Sequence, residues 1–236
     1  MRIKAVVFDF GGTLAEGELQ TAPFEAELLQ YLRSLGYQVW LTDLRASQRA
    51  SLSRLERVRA SHRELSFEEV YTEVLIRLYI PPEEETLNHL YELYCANFAV
   101  TLLPGVEDLL RGLSDGYKLA VLSNTLSDMP RRFLASQGLA DLFKAIVCSK
   151  DLGIRKPDER TFMHVLEEVE AAPSEAVFVG DTLKEDVEGA GRVGMTTVWV
   201  KKGNMEETPS ECEHPPRYTI TTVLELSQIL REIEEG

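Results

Sequence analysis

Near its start this 236-residue chain carries Val6-Val7-Phe8-Asp9-Phe10-Gly11-Gly12-Thr13-Leu14, and the rest of the sequence is organised around this stretch. The unbroken apolar run that ends at Phe8 predicts a strand buried on both faces. Asp9 follows it directly, and because ligands bind at the carboxyl ends of strands in open α/β sheets, we expect Asp9 at a binding edge. Two glycines then make a sharp turn inexpensive, and their N–H groups would offer a seat for an anion. Taken alone, a strand followed by a polar turn explains these residues equally well.

Apolar runs recur in the second half of the chain, and helical patterns separate them. They lie at 117–122, 145–147, 176–179 and 196–200. Apolar strands that alternate with helices are typical of a parallel, doubly wound sheet. The predicted fold class is therefore α/β, with one such sheet as the core.

Residues 17–99 interrupt that pattern with four amphipathic helices joined by short connections. The helix starts are marked by Pro23, by Thr42, by the capping box that opens at Ser66, and by Pro81. Helices of this kind pack as a small bundle. We therefore predict two domains, a core formed by 1–16 and 100–236 and a four-helix bundle formed by 17–99.

The composition narrows the class of partner and the compartment. The formal net charge of −14 argues against nucleic acid or an anionic membrane as the main partner. The three cysteines are far apart and have no metal-binding spacing, which suits a reducing compartment. The first apolar run is interrupted by Asp9, so no signal peptide is expected, and no stretch reaches the roughly 20 apolar residues of a membrane helix. We expect a cytoplasmic protein, with a monomer as the default.

Polar side chains follow the predicted strands at their carboxyl ends. They are Asp9, Ser123, Lys156 and Asp181, with Asp186 shortly beyond. Each has a plain explanation, since serine and aspartate cap helices and a loop lysine is usually solvated. Adjacent parallel strands, however, bring such ends together, and the carboxylates would repel unless a hard cation such as Mg²⁺ lay among them. A nucleophilic carboxylate, a divalent cation and a lysine form the apparatus for phosphoryl transfer through an aspartyl-phosphate.

Four segments of the chain resemble, in order and spacing, the four motifs of the haloacid dehalogenase (HAD) superfamily. They are Asp9-Phe10-Gly11-Gly12-Thr13, Val121-Leu122-Ser123-Asn124, Lys156-Pro157, and Gly180-Asp181-Thr182-Leu183-Lys184-Glu185-Asp186. The fourth is similar to the phosphatase form of its motif. The resemblance covers essentially the whole chain and makes 17–99 a helical cap. It implies a Rossmann-like core and a phosphatase that acts on a small phosphorylated metabolite.

The resemblance also implies roles for individual residues on the substrate side. Asp9 would be the nucleophile that forms the aspartyl-phosphate. Ser123 and Lys156 would be catalytic residues that hold the phosphoryl group. Gly12 and Asn124 would complete the substrate-binding set.

For the metal, the resemblance implies Mg²⁺ bound by Asp9, by the Gly11 carbonyl oxygen and by Asp181, with Asp186 in support. Gly11 is also where the sequence departs from the family pattern, because the phosphatases carry their general acid/base aspartate at that position. The metal contact uses the backbone and is kept. The expected proton donor is lost.

Two other branches of the superfamily lack that aspartate as well. The phosphonate-cleaving branch uses a cap lysine, and 17–99 contains no lysine, which excludes it. 2-Haloacid dehalogenases need no Mg²⁺ and carry a different fourth motif, but a dehalogenase in which Asp9 attacks carbon is the second enzyme hypothesis. The third hypothesis is a phosphate-binding or regulatory protein that kept the site and lost turnover through Gly11.

The predicted cap carries a cluster of arginines. They are Arg45, Arg49, Arg54, Arg57, Arg59 and Arg63. On one continuous helix, Arg45, Arg49, Arg59 and Arg63 would share a face. That face is either a solvated surface that balances acidic neighbours or a patch that attracts an anionic substrate.

Overall fold

The computed structural model describes residues 2–203, 209 and 212–235. The chain divides into two compact units, one that combines Met1–Glu16 with Thr101–Gly236 and one formed by Gly17–Val100. None of the helices in the described part of the chain has the length and apolar character that a membrane crossing demands.

The first unit contains a six-stranded parallel sheet, which confirms the predicted α/β class. In chain order the strands of the protein are β1 (Ala5–Phe8), β2 (Ala15–Leu19), β3 (Phe98–Leu102), β4 (Lys118–Ser123), β5 (Phe143–Cys148), β6 (Ala176–Gly180), β7 (Thr196–Val200) and β8 (Tyr218–Ile220). The sheet has the order β5-β4-β1-β6-β7-β8, and its neighbouring strands run parallel. This is the strand order of the Rossmann fold, so the Rossmann-like core is confirmed as well.

Helices connect the strands and make up most of the second unit. They are α1 (Thr21–Ser34), α2 (Leu41–Arg59), α3 (Phe67–Arg77), α4 (Glu84–Ala96), α5 (Val106–Ser114), α6 (Met129–Ser136), α7 (Ser149–Leu152), α8 (Glu159–Glu168), α9 (Gly189–Arg192) and α10 (Leu226–Glu235). A π-helical segment, Leu183–Glu188, leads directly into α9. Short 3₁₀ turns occupy Ala140–Leu142, Pro173–Glu175 and Val223–Glu225.

The strand order determines where a ligand can bind. From β1 the chain builds outward through β4 and β5, and it then returns to place β6 on the other side of β1. A crevice opens at the carboxyl ends of the strands where the order reverses, and ligands bind there. The register sets Phe8 beside Val121 of β4 and beside Val179 of β6. The residues that follow these three strands therefore share one edge of the sheet.

The sequence of β1 predicts its burial, whereas the sequence of β8 does not predict a strand. Residues of β1 have no solvent exposure, and Val7 packs in one cluster with Phe162 of α8 and Phe178 of β6. A strand covered on both faces needs no polar alternation. β8 has only three residues and lies at the sheet edge, with Tyr218 half-buried. So short a segment carries no usable periodicity.

The four predicted helices of the second unit are present as α1 to α4. They pack in the pairs α1–α2, α2–α3, α3–α4 and α1–α4, which closes a bundle. The capping box at Ser66 is also present. The Ser66 N–H donates to the Glu69 carboxylate at 2.8 Å, and the Glu69 N–H donates to Ser66 Oγ at 3.2 Å.

The range predicted for the four-helix bundle, 17–99, also contains strand residues at both of its ends. β2 and β3 form a two-stranded sheet, and the boundary between the two units falls inside both strands. β2 was not predicted because its sequence, Ala-Glu-Gly-Glu-Leu, is rich in glutamate and glycine, which are depleted in strands. Gly17 has a packing reason, since a Cβ there would lie 2.8 Å from the ring of Phe98.

Three arginines of the cluster form ion pairs inside the second unit. Arg45 pairs with the buried Glu25, and Arg59 pairs with the buried Glu64, both at 2.8 Å. Arg54 pairs with a glutamate of α3 at 3.1 Å. The shared face was predicted to include Arg63, but α2 ends at Arg59, so that part of the prediction was wrong.

Gly189, the first residue of α9, tests how closely α8 and α9 pack. A Cβ on Gly189 would lie 2.6 Å from the ring of Phe162 and 3.1 Å from the backbone of Pro157. We expect Gly189→Ala to lower the free energy of unfolding by about 1–3 kcal/mol, the usual cost of overpacking. Gly112 in α5 is the matched control because nothing lies within 4 Å of its Cβ position. Gly112→Ala should raise the free energy of unfolding by about 0.5–1 kcal/mol. Urea unfolding measures both, and equal effects would contradict the packing argument.

Candidate active site

Lys156 lies at the centre of the site. Its Nζ is 2.7 Å from Asp9 Oδ1 and 2.6 Å from Asp186 Oδ1, and all three side chains are nearly inaccessible to solvent. Burial lowers the pKa of this lysine, but the two carboxylates outweigh burial and raise the pKa above its usual value. The two carboxylates therefore favour the ammonium form of Lys156, which joins the end of β1 to the helical segment after β6.

Backbone hydrogen bonds hold the main chain of Asp9 and the carboxylate of Asp186. The N–H of Asp9, which follows β1, donates to the Val179 carbonyl of β6 at 2.8 Å. Asp186 lies in the π-helical segment, and its Oδ2 accepts a hydrogen bond from the Thr182 N–H at 3.0 Å. Burial raises the pKa of both carboxyl groups, and the lysine opposes that rise.

Asp181 completes a cluster of three carboxylates with Asp9 and Asp186. One oxygen of each lies within 4.8 Å of the others. The main-chain carbonyl of Asp181 accepts a hydrogen bond from the indole of Trp199 at 2.9 Å, and burial raises the pKa of its carboxyl group. Gly180 makes the cluster possible, since a Cβ at that position would lie 2.5 Å from the carboxyl group of Asp186.

The donor set of this cluster fits a hard divalent cation. Three acids outnumber the two lysines beside them, Lys156 and Lys202, which leaves an excess of negative charge at a site where Asp9 and Asp186 are buried. Both oxygens of Asp186 already accept hydrogen bonds, from Lys156 and from Thr182, so Asp186 is suited to orient the lysine and to support an ion. Asp9 and Asp181 offer further carboxylate oxygens, the type of ligand that Mg²⁺ prefers.

The two glycines after Asp9 have different structural roles. Gly12 has a φ of +83°, and a Cβ there would lie 2.1 Å from Asp181 Oδ2, so glycine is required. Its N–H donates to the Ala15 carbonyl at 2.8 Å, and the expectation of a bare N–H at Gly12 was therefore wrong. Gly11 is exposed, its φ lies outside the left-handed region, and nothing lies within 4 Å of its Cβ position.

Ser123 and Asn124 differ sharply although they are consecutive. Ser123 is the last residue of β4 and is buried at the same edge of the sheet. The Asn124 amide bonds to the backbone of Lys156 in both directions, at 2.9 and 3.1 Å, and donates to Glu185 at 2.9 Å. Glu185 in turn pairs with Arg155 at 3.1 Å. The predicted contact of the Asn124 side chain with substrate is not supported, because both amide protons and the amide oxygen already have partners.

Lys202 is a site neighbour that was not predicted. Its Nζ pairs with the Glu16 carboxylate and lies 3.7 Å from Asp181 Oδ2. Lys202 lies two residues after the end of β7, so the strand-end argument that identified the other residues applies to it as well. Glu185 and Arg155 carried no comparable signal, because their partners become visible only when the loop and helix are placed in space.

The conformation of the turn after Asp9 can be tested by substituting alanine for Gly12 and, separately, for Gly11. Gly12→Ala should lower the free energy of unfolding by at least about 1–2 kcal/mol, the penalty of a left-handed backbone, and the clash with Asp181 adds to that. Gly11→Ala, the adjacent control, should leave stability unchanged or raise it by up to about 1 kcal/mol. Urea unfolding of the two variants decides the matter. Equal stabilities would mean that the turn is not held as described.

The chain is similar to known proteins that are named as phosphatases and as dehalogenases. The chain is similar to the glyceraldehyde 3-phosphate phosphatase of Methanopyrus kandleri, with 31% identity over 119 residues, which are 50% of this chain and 51% of that protein. The chain thus spans about half the length of the curated relatives it matches.

Solved structures match over nearly the whole chain. A 2-haloacid dehalogenase from Pseudomonas syringae pv. tomato DC3000 is similar with a TM-score of 0.72 and 26% identity, covering 98% of this chain and 99% of that one. A HAD phosphatase from Thermococcus onnurineus is similar with a TM-score of 0.64 and 28% identity, covering 97% and 98%. The family model of the haloacid dehalogenase-like hydrolases matches residues 3–194. The chain, with its Rossmann-like sheet and its buried lysine between two aspartates, therefore belongs to the haloacid dehalogenase-like hydrolases.

Proposed function

We propose that the protein is a Mg²⁺-dependent phosphatase that hydrolyses a small phosphorylated metabolite through an aspartyl-phosphate. The observation that carries the proposal is the cluster of three carboxylates at the carboxyl edge of the sheet, Asp9, Asp181 and Asp186. Two of them, Asp9 and Asp186, pair with the ammonium of Lys156. A buried carboxylate beside a fixed cation is suited to attack phosphorus, since the cation offsets the negative charge of the incoming phosphoryl group.

Asp9 and Lys156 divide the work of the first step. A carboxylate oxygen of Asp9 forms a bond to phosphorus as the bond from phosphorus to the ester oxygen breaks. This leaves an acyl phosphate and an alkoxide, which takes its proton from solvent water. Lys156, with Ser123 at the end of the neighbouring strand, holds the phosphoryl oxygens during the transfer. Water then attacks the acyl phosphate and releases inorganic phosphate, which restores the Asp9 carboxylate.

Asp9, the Gly11 carbonyl and Asp181 would hold Mg²⁺, with Asp186 in support. When bound, the ion supplies positive charge to the phosphoryl oxygens and relieves the repulsion among the carboxylates. Burial raises the pKa of all three carboxyl groups, so the metal-free cluster resists full ionisation. A divalent ion would favour the charged forms.

A second candidate function is dehalogenation, and one observation favours it. Gly11 has no side chain to protonate a leaving alkoxide, and a halide leaves without a proton. Release of halide from 2-haloacids in excess chelator would support this candidate. A protein that binds phosphate without turnover is the third. A phosphate-release screen over a metabolite panel, with and without Mg²⁺, tests the phosphatase, and the halide-release assay then separates the other two.

The nucleophile and the metal ligand are tested by removing one charge at a time. Asp9→Asn should lower kcat by more than about 10³-fold, because an amide is a poor nucleophile. Asp181→Asn should raise the Mg²⁺ concentration for half-saturation by at least the roughly 10–100-fold that loss of an outer-sphere partner costs. Asp141→Asn, at an exposed 3₁₀ turn, is the control. Full activity in excess chelator would overturn the metal assignment, and wild-type turnover in Asp9→Asn would overturn the mechanism.

The missing acid at Gly11 predicts a preference for good leaving groups. General acid catalysis contributes about 10²–10⁴-fold, and that help matters for alkyl phosphates far more than for aryl or acyl phosphates. The wild type should therefore hydrolyse aryl phosphates well and alkyl phosphates poorly. Gly11→Asp should narrow that gap, and the open space around the Gly11 Cβ position and its ordinary φ accommodate the side chain.

Gly11→Asn is the matched control, since it adds the same volume without an acid. The measurement is the ratio of kcat/KM for an aryl and an alkyl phosphate in the three proteins. Equal rates of the wild type on both esters would mean that another group donates the proton. Our interpretation of Gly11 would then be wrong.

A further inference from the structure

The side-chain amide of Asn124 forms hydrogen bonds with both main-chain groups of Lys156. Its Oδ1 accepts a hydrogen bond from the Lys156 N–H at 2.9 Å, and its Nδ2 donates to the Lys156 carbonyl at 3.1 Å. A side-chain amide that bonds both backbone groups of one residue fixes that residue in position and in orientation. The ammonium at the far end of the lysine is fixed separately, by Asp9 and Asp186.

Glu185 and Arg155 close a ring around the same residue. The second Nδ2 proton of Asn124 goes to Glu185 Oε2 at 2.9 Å, and Arg155 Nη2 lies 3.1 Å from Glu185 Oε1. Arg155 directly precedes Lys156 in the chain. The ring therefore runs from the end of β4 to the π-helical segment, on to the loop before α8, and back to Asn124.

The ring ties together the three segments that carry phosphoryl-binding and acidic groups. Ser123 is the chain neighbour of Asn124, and Asp186 is the chain neighbour of Glu185. Fixing Asn124 and Glu185 to the lysine loop thus fixes the spacing between the Ser123 hydroxyl, the Lys156 ammonium and the Asp186 carboxylate. Glu185 is the charged member of two of these hydrogen bonds, and hydrogen bonds to a charged group are stronger than neutral ones.

We infer that Asn124 is a positioning residue that, with Glu185 and Arg155, holds Lys156 and Ser123 at the spacing a phosphoryl group requires. This inference rests on the proposed phosphatase function. A misplacement of about 1 Å in a catalytic group costs up to roughly 10²-fold in rate, so loss of the ring is measurable without loss of the fold.

The first test is Asn124→Ala with inorganic phosphate as the probe. Calorimetric titration of phosphate into the protein with Mg²⁺ should show a dissociation constant raised by about tenfold or more, and kcat/KM should fall by about 10–100-fold. Asn88→Ala is the control, an exposed asparagine in α4. A variant that melts at a lower temperature but keeps the wild-type phosphate affinity and kcat/KM would show a merely structural role and overturn the inference.

A rescue experiment tests the ring itself. Asn124→Asp keeps an acceptor for the Lys156 N–H but sets a second carboxylate against Glu185, so phosphate affinity and kcat/KM should fall. Adding Glu185→Gln places an amide donor opposite that carboxylate, and we expect the double variant to recover about tenfold of the loss, within the range for residues in contact. Glu185→Gln alone completes the cycle. If the effects of the two substitutions on phosphate affinity and kcat/KM were strictly additive, the proposed role of the ring would be wrong.

The two proposals fail in different ways. A wild type that binds phosphate but releases none from any ester contradicts the phosphatase, and the phosphate affinities of the variants still decide the role of Asn124. An active wild type with an unaltered Asn124→Ala contradicts the ring alone. A wild type that neither binds phosphate nor hydrolyses an ester contradicts both.

Discussion

An ammonium held between two buried carboxylates is the interaction on which the rest of this structure depends. Taking any of these three charges out of water alone would cost several kcal/mol, and each is tolerable only because its partners are within hydrogen-bond distance. The pairing requires that the end of β1, the loop before α8 and the π-helical segment after β6 meet at one point. It also requires Gly180, since a Cβ there would occupy the place of the Asp186 carboxyl group.

The same cluster is unfavourable without a ligand, which is what a binding site demands. Asp181 adds a third carboxylate to a pair that Lys156 already neutralises only in part. Because burial raises the folded-state pKa of Asp9 and Asp186, the folded protein holds these protons more tightly than the unfolded chain does. Their contribution to stability is therefore lost as pH rises from the usual carboxyl pKa of about 3.9 through the raised folded value. A cation that binds the charged forms restores that loss.

The sequence predicted the parts of the site that depend on topology and missed those that depend on contact. Asp9 and Asp181 directly follow a strand and Ser123 ends one, and a parallel sheet places such residues at one edge whatever the details of packing. The ring through Glu185 and Arg155 joins side chains from segments that are not neighbours in the sheet. A periodic pattern in the sequence does not predict contacts of this kind. β2 was not predicted because its sequence is poor in strand formers. Its packing partner, Phe98, compensates for that sequence but lies about 80 residues away in the chain.

The two glycines of the first turn show how geometry and chemistry can be told apart at adjacent positions. Gly12 is dictated by the fold, because its left-handed backbone and the proximity of Asp181 exclude a side chain. Gly11 is not, because its backbone is ordinary and the space around it is open. The fold would accept an acid at that position, and the sequence does not supply one. The fold therefore does not explain the glycine at position 11. Under the proposed mechanism, a leaving group that needs no proton would make an acid at this position unnecessary.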